Sequence, residues 1–182
     1  AKNIYVEGIT SAEAGSEPQG TLNLNVGNVD SAKNLENLGV YVNGTLDLTD
    51  KTPNKVSANE MISLDVATSL NLNRELEAKD VKLRSKEDIV TNAAITAKND
   101  AILTAGTDIL INSDISAPNI NLSAKENITE VYDNAQNIGA SIVTNYVEEG
   151  VTKQGILTTN NNGALDLGSK NNKLGIVNIN NT

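Results

Sequence analysis

Between residues 58 and 129 the chain repeats itself every 19 or 20 residues, and this period limits the possible folds more than any other feature. Four rows begin at Ala58, Ala78, Ala97 and Ala117. Leu64, Leu83, Leu103 and Leu122 share one column, so its steps are 19, 20 and 19 residues. Leu70, Ile89, Ile109 and Ile128 form a second column, and Leu76, Ile95 and Ile115 a third. A fixed period near 20 makes each row one structural unit of a stacked array.

Inside a row the apolar residues alternate with polar ones. Val81, Leu83 and Ser85 stand against Lys82 and Arg84, and Leu70 and Leu72 against Asn71. Period two is strand spacing with one face buried. Each row therefore holds three short strands, separated by turns such as residues 86–88 or 106–108. One coil of this kind cannot bury its own inner face. Stacked coils can, because each inward Leu then rests on its counterpart about 4.8 Å away and the backbone groups pair along the axis. The expected architecture is an all-β parallel β-helix, a solenoid with a narrow aliphatic core, 19–20 residues per coil and protruding loops.

Two polar columns fit such stacking. Asn73, Asn92 and Asn112 align, and amides at strand spacing can bond to one another up a ladder that satisfies buried polar groups at a turn. The ladder ends at Val131, where the next Asn would fall. Ser69, Asp88, Asp108 and Asn127 precede the second apolar column. Stacked Asp88 and Asp108 repel unless screened, so that turn is expected to be solvated.

Composition narrows the function. The 182 residues contain no His, Cys, Phe or Trp, and aromatics are 2% of the chain. The core must therefore be Leu, Ile, Val and Ala, and no disulfide framework, thiol catalysis or thiolate metal site can be built. A chain without Cys is also compatible with export through an oxidising periplasm. The formal charge of −9, without a basic cluster, argues against nucleic-acid binding, which needs a basic stripe and stacking platforms. No apolar run approaches the roughly 18 residues of a membrane span. The chain begins at Ala1 in mid-pattern, since AKNIYV matches AKDVKL at residues 78–83. It is therefore expected to be a piece of a longer parent chain, continuing past Thr182.

Taken in order, the chain reads as one β-helix segment over residues 1–182, with regular coils at 58–129. Residues 11–20, with Gly15, Pro18 and Gly20, read as a loop leaving the first coil. Residues 27–39 read as an insertion, with one or two helical turns over Ser31–Leu38 capped by Ser31 and stopped by Gly39. Asn43-Gly44 between alternating segments is a hairpin signature, but the regular rows that follow favour a corner between faces. Residues 49–57, with Pro53, read as a further loop. Residues 131–162 lose the column rule and read as a protruding hairpin or a coil with long turns. Strand alternation returns at 164–167 and 175–179. Eight or nine coils would make a rod about 40 Å long with open sheet edges.

Little in the sequence suggests catalysis. Without His there is no imidazole base, triad or imidazole metal ligand. Asp88 with Asp108, or Lys82 and Arg84 beside Arg74, are the candidates for polysaccharide chemistry, yet outward positions of a rod are charged and stacked in any case. Tyr5, Tyr41, Tyr132 and Tyr146 sit in four different contexts and give no sugar-stacking cleft. Neither the calcium-binding nonapeptide GGxGxDxUx nor an EF-hand loop occurs, so no metal or cofactor is assigned. Asn43-Gly44-Thr45, Asn121-Leu122-Ser123 and Asn127-Ile128-Thr129 are glycosylation sequons. Asn43, at an exposed corner, is the candidate modification site, whereas Asn121 and Asn127 flank buried positions.

The row at residues 103–111, LTAGTDILI, resembles the shaft repeats of filamentous-haemagglutinin-like adhesins, large exoproteins that Gram-negative bacteria export by two-partner secretion. LSAKENI at 122–128 follows it with Lys in place of Gly. The resemblance covers residues 58–129 well and the remainder loosely, and the Asn-Pro-Asn-Gly motif of the family's secretion domain does not occur. It implies a right-handed β-helix, secretion to the bacterial cell surface, and a non-enzymatic shaft or distal segment of a virulence-associated fibre. The partner would be a host-cell or matrix receptor or a glycan. The expected function is structural and adhesive. The alternatives are a polysaccharide-binding or -cleaving β-helix of the tailspike or lyase kind, and a surface-layer or fibre assembly subunit. Contacts are expected where the repeat is broken, at 11–20, 27–39 and 131–162.

Overall fold

Strands that are apolar on one face need a second apolar surface, and in this chain the coil above supplies it. The computed structural model describes residues 3–10, 35–43, 46–48 and 55–181. Its strands stack in parallel into a β-solenoid of about seven turns.

Three faces recur in the regular coils. The long face stacks eight strands: Asn3–Thr10, Asn37–Asn43, Met61–Val66, the second halves of Glu75–Ser85 and Ile95–Ala105, then Asn119–Ala124, Ile156–Asn161 and Ile176–Asn181. At about 4.8 Å per strand this face is about 34 Å tall. The short face stacks Leu46–Leu48, Leu70–Leu72, Ile89–Thr91, Ile109–Ile111, Ile128–Glu130 and Leu165–Asp166. A third face joins Lys55–Ser57, the first halves of Glu75–Ser85 and Ile95–Ala105, Ile115–Ser116 and Ile142–Val143. Two of the three short strands expected per row are thus continuous in two coils, as Glu75–Ser85 and Ile95–Ala105, and separate in the rows before and after them. The pairing of these two long strands carries a register shift between Ala78 and Asp80.

The apolar columns form the core. Leu64, Leu83, Leu103 and Leu122 are direct register partners, as are Leu70, Ile89, Ile109 and Ile128, and all eight are buried. Leu76, Ile95 and Ile115 do the same on the third face. Each buried aliphatic side chain of this size contributes about 1.5–3 kcal/mol relative to exposure.

Register partners on the long face measure each coil. They are Asn3, Asn37, Met61, Asp80, Asp100, Asn119, Ile156 and Ile176, so the steps are 34, 24, 19, 20, 19, 37 and 20 residues. The solenoid has about seven turns rather than eight or nine because two steps, Asn3 to Asn37 and Asn119 to Ile156, are nearly twice the usual length.

Several expectations at the margins need correction. Asn37, Leu38 and Gly39 are strand, not the end of a helix, since Leu38 and Val40 stack on Ile62 and Leu64 and that packing outweighs local propensity. Residues 27–34, the rest of the expected insertion, lie outside the described residues. Lys55–Ser57 is strand rather than loop, with Val56 buried against Leu76. Residues 49–54 and residues 11–20, where a loop is expected, also lie outside the described residues. Asn43 ends a strand of the long face and Leu46 begins one of the short face, in agreement with the corner between faces expected there.

Candidate functional site

The regular coils turn three corners in a few residues each, and stacked side chains hold those corners. At the corner from long to short face, side-chain oxygens accept the backbone N–H of the coil above. Asp88 N–H donates to Ser69 Oγ (3.4 Å), Asp108 N–H to Asp88 Oδ1 (3.1 Å), Asn127 N–H to Asp108 Oδ1 (2.8 Å) and Ala164 N–H to Asn127 Oδ1 (2.9 Å). The two aspartates are half-buried, and each gives one carboxylate oxygen to the scaffold. At the corner from short to third face, Asn92 donates to Asn73 (2.9 Å) and Asn112 to Asn92 (2.7 Å). This ladder lies on the surface rather than in the interior, with Asn92 and Asn112 exposed.

The coil between Asn119 and Ile156 departs from this scheme at two corners. Where the Asn ladder would continue, Tyr132–Asp133 and Ile138–Gly139 form an antiparallel hairpin. Where the third face normally turns onto the long face, Tyr146–Glu148 and Val151–Lys153 form another. Ile142–Val143, between them, still occupies its place on the third face through Ile115 and Ser116.

The first hairpin is tied down by the following coil. Its anchor is Glu130, at the position that Ile111 fills one coil earlier and only 2% exposed. Glu130 Oε2 accepts from Asn172 Nδ2 (2.8 Å) and from Ser169 N–H (3.3 Å), and Asn172 Oδ1 accepts from Ile142 N–H (2.7 Å). Its Oε1 is buried without a partner. Burial pushes the Glu130 carboxyl above the ordinary carboxylate range, partly offset by the Asn172 and Ser169 bonds and reinforced by Asp166 and Asp114. Tyr132 donates its phenol hydrogen to Asp166 Oδ1 (2.8 Å), which raises the tyrosine's pKa because the bond favours the protonated form. Asn171 Nδ2 donates to Gly139 O (2.9 Å) and Lys170 N–H to Asn137 O (2.7 Å), so residues 167–172 brace the hairpin from the next coil.

The second hairpin projects. Every residue from 147 to 154 is exposed. Glu149 (φ 50°) and Gly150 (φ 76°) make its turn, and both positive φ values identify type I′. Glu148 and Lys153 form an ion pair across the strands that raises the lysine's pKa.

The remaining candidate residues are dispersed. Arg74 is buried, 1% exposed, at the corner between short and third faces, whereas Lys82 and Arg84 are exposed on the long face; the expected cluster of three does not form. Asp88 and Asp108 border a groove of about 240 Å³ with Val90, Leu110, Asn127 and Thr129. No group of three or more acids that could hold a metal ion occurs among the described residues. Asn121 faces outward beside Leu122, and Asn127 has its amide engaged with Asp108 and Ala164. The side chain of Asn43 lies outside the described residues.

No family model, curated protein or solved structure matches the chain. The fold and the interrupted coil therefore carry the functional argument by themselves. Glu130 escaped the sequence reading because it is charged. It stands two residues after Ile128, however, at the inward position that Thr91 and Ile111 occupy in earlier rows, and that alternation was the available signal.

Proposed function

We propose that this chain is a non-enzymatic structural and adhesive segment of a large secreted bacterial surface fibre, and that its interrupted coil contacts a host-cell or matrix receptor or glycan. The observation that carries this reading is the placement of two hairpins in one coil between regular coils. A solenoid gains little in core burial from residues 146–153, of which all but the half-buried Tyr146 are exposed. Projecting segments on a rigid scaffold are where binding residues concentrate. The repeat rows resembling filamentous-haemagglutinin-like shafts and the Cys-free composition support secretion and display at the cell surface.

The test is binding of the purified chain to an array of glycans and matrix proteins, beside a variant in which residues 146–153 are replaced by a short Gly-Ser corner. Binding that disappears in the variant while the β-type circular dichroism stays intact is the expected result. Equal binding by both proteins would move the contact elsewhere. A polysaccharide-binding reading is favoured by one observation, the groove where Val90 and Leu110 face Asp88 and Asp108. On that reading Asp88→Asn with Asp108→Asn, rather than loss of the hairpin, abolishes glycan binding.

A further inference from the structure

The second hairpin combines an open strand edge with bare apolar side chains. Val147 is 70% exposed and Val151 58%. A Cβ built on Gly150 at its tip would meet nothing within 4 Å. An isolated two-stranded hairpin is marginally stable in water, and further strands are the usual remedy.

Its hydrogen-bonding pattern determines which edge is available. In an antiparallel ladder, pairs that exchange both backbone bonds alternate with pairs that exchange none. The two-residue turn at Glu149-Gly150 makes the flanking Glu148–Val151 pair a bonded one. The next pair, Val147–Thr152, is then unbonded, and each of its residues directs N–H and C=O outward along its own edge.

We propose that the Tyr146–Glu148 edge is a self-docking element: it pairs antiparallel with the same strand of a second copy of this chain, about a two-fold axis at Val147, to form a four-stranded intermolecular sheet. A symmetric contact must be self-complementary, and this edge is. Val147 meets Val147 of the second copy with both backbone bonds exchanged, and Tyr146 meets Glu148 on either side. One surface of the new sheet carries the row Thr152, Val147, Val147, Thr152. The opposite edge is a poorer match, since pairing about Thr152 sets Val151 against Lys153 and leaves a lysine guarding the edge.

Charge favours the same choice. Two copies that each carry −9 repel over most orientations. At this edge Glu148 is already balanced by Lys153 of its own hairpin, and the antiparallel arrangement places each Glu149 beside the base of the opposite hairpin, away from its twin. This self-association needs no receptor and goes beyond the adhesive reading.

The Cys-free sequence allows a direct test. Val147→Cys and Thr152→Cys are oxidised in parallel over a range of protein concentrations, and the parent chain is followed by sedimentation equilibrium. Dimerisation of the parent is expected, with cross-linking of Val147→Cys at least about tenfold faster than of Thr152→Cys, as a defined pairing register requires. Val147→Pro, which removes the outward N–H, and Val147→Lys, which sets like charges across the axis, are each expected to weaken association by at least about tenfold. Circular dichroism and melting temperature report that the solenoid is intact in all four variants. A parent that stays monomeric up to about 1 mM, equal cross-linking of the two cysteine variants, or undiminished association of Val147→Pro overturns the proposal.

Discussion

Residues 58–129 and residues 130–181 share the same three faces but hold them in different ways. In the first region each coil is a near copy of the one below. Leu sits on Leu, Ile on Ile, and short polar side chains close the corners by bonding to the next coil. In the second, two corners are replaced by hairpins, and an inward aliphatic position is taken by Glu130 with polar partners from residues 169 and 172. Repetition makes the first region self-supporting, since each residue of the apolar columns rests on its counterpart one coil away. The second depends on a polar network that is specific to this place in the sequence. A solenoid tolerates such an interruption because contacts are made only between neighbouring coils.

The largest test of this contrast falls on the regular coils. Leu103→Asp places an unpaired charge in the aliphatic column and is expected to destabilise by several kcal/mol, whereas Thr104→Asp, on the exposed side of the same strand, changes stability by less than about 0.5 kcal/mol. Equal melting points for the two variants would break the proposed register. Next, Gly106→Ala drives its Cβ into the Lys86 carbonyl of the coil below. A loss of about 1–3 kcal/mol in chemical denaturation is expected, as for overpacking elsewhere.

The interrupted coil responds to pH. Because the folded Glu130 carboxyl has a raised pKa, its contribution to stability is fully present below the ordinary value of 4.5 and is lost as pH rises through the folded value. Glu130→Gln keeps an oxygen to accept from Asn172 and Ser169 and carries no charge. It is expected to raise the melting temperature at pH 7 by about 2–4 °C, with the gain disappearing below pH 4.5. A gain independent of pH would show that the carboxylate is not the strained group.

Two smaller effects sharpen the contrast further. Thr91, buried in the column below Ile111, has a hydroxyl without a partner. Thr91→Val should therefore be neutral or stabilising by up to about 1 kcal/mol in urea denaturation. Asn92→Ala removes the middle of the amide ladder, which is exposed, and should cost only about 0.5–1 kcal/mol. A larger loss would mean that the ladder, and not the aliphatic columns, governs the regular coils.

The sequence by itself determined the regular half. A 19–20-residue period with alternation inside it allows only stacked parallel strands, so the columns through Leu83, Ile89 and Ile95 could be read before any coordinate was known. It also determined the absence of imidazole and thiol chemistry, because those residues do not occur. Tertiary structure alone decided the rest. Leu38 and Val56 sit in segments whose local chemistry suggests helix and loop, and become strand because Ile62 and Leu76 offer apolar partners from another coil. Glu130 is buried and the hairpin at 146–153 is exposed for the same reason. A period is written in every copy of a repeat, whereas an interruption occurs once, and its contacts with residues 169–172 lie some forty positions away in the chain.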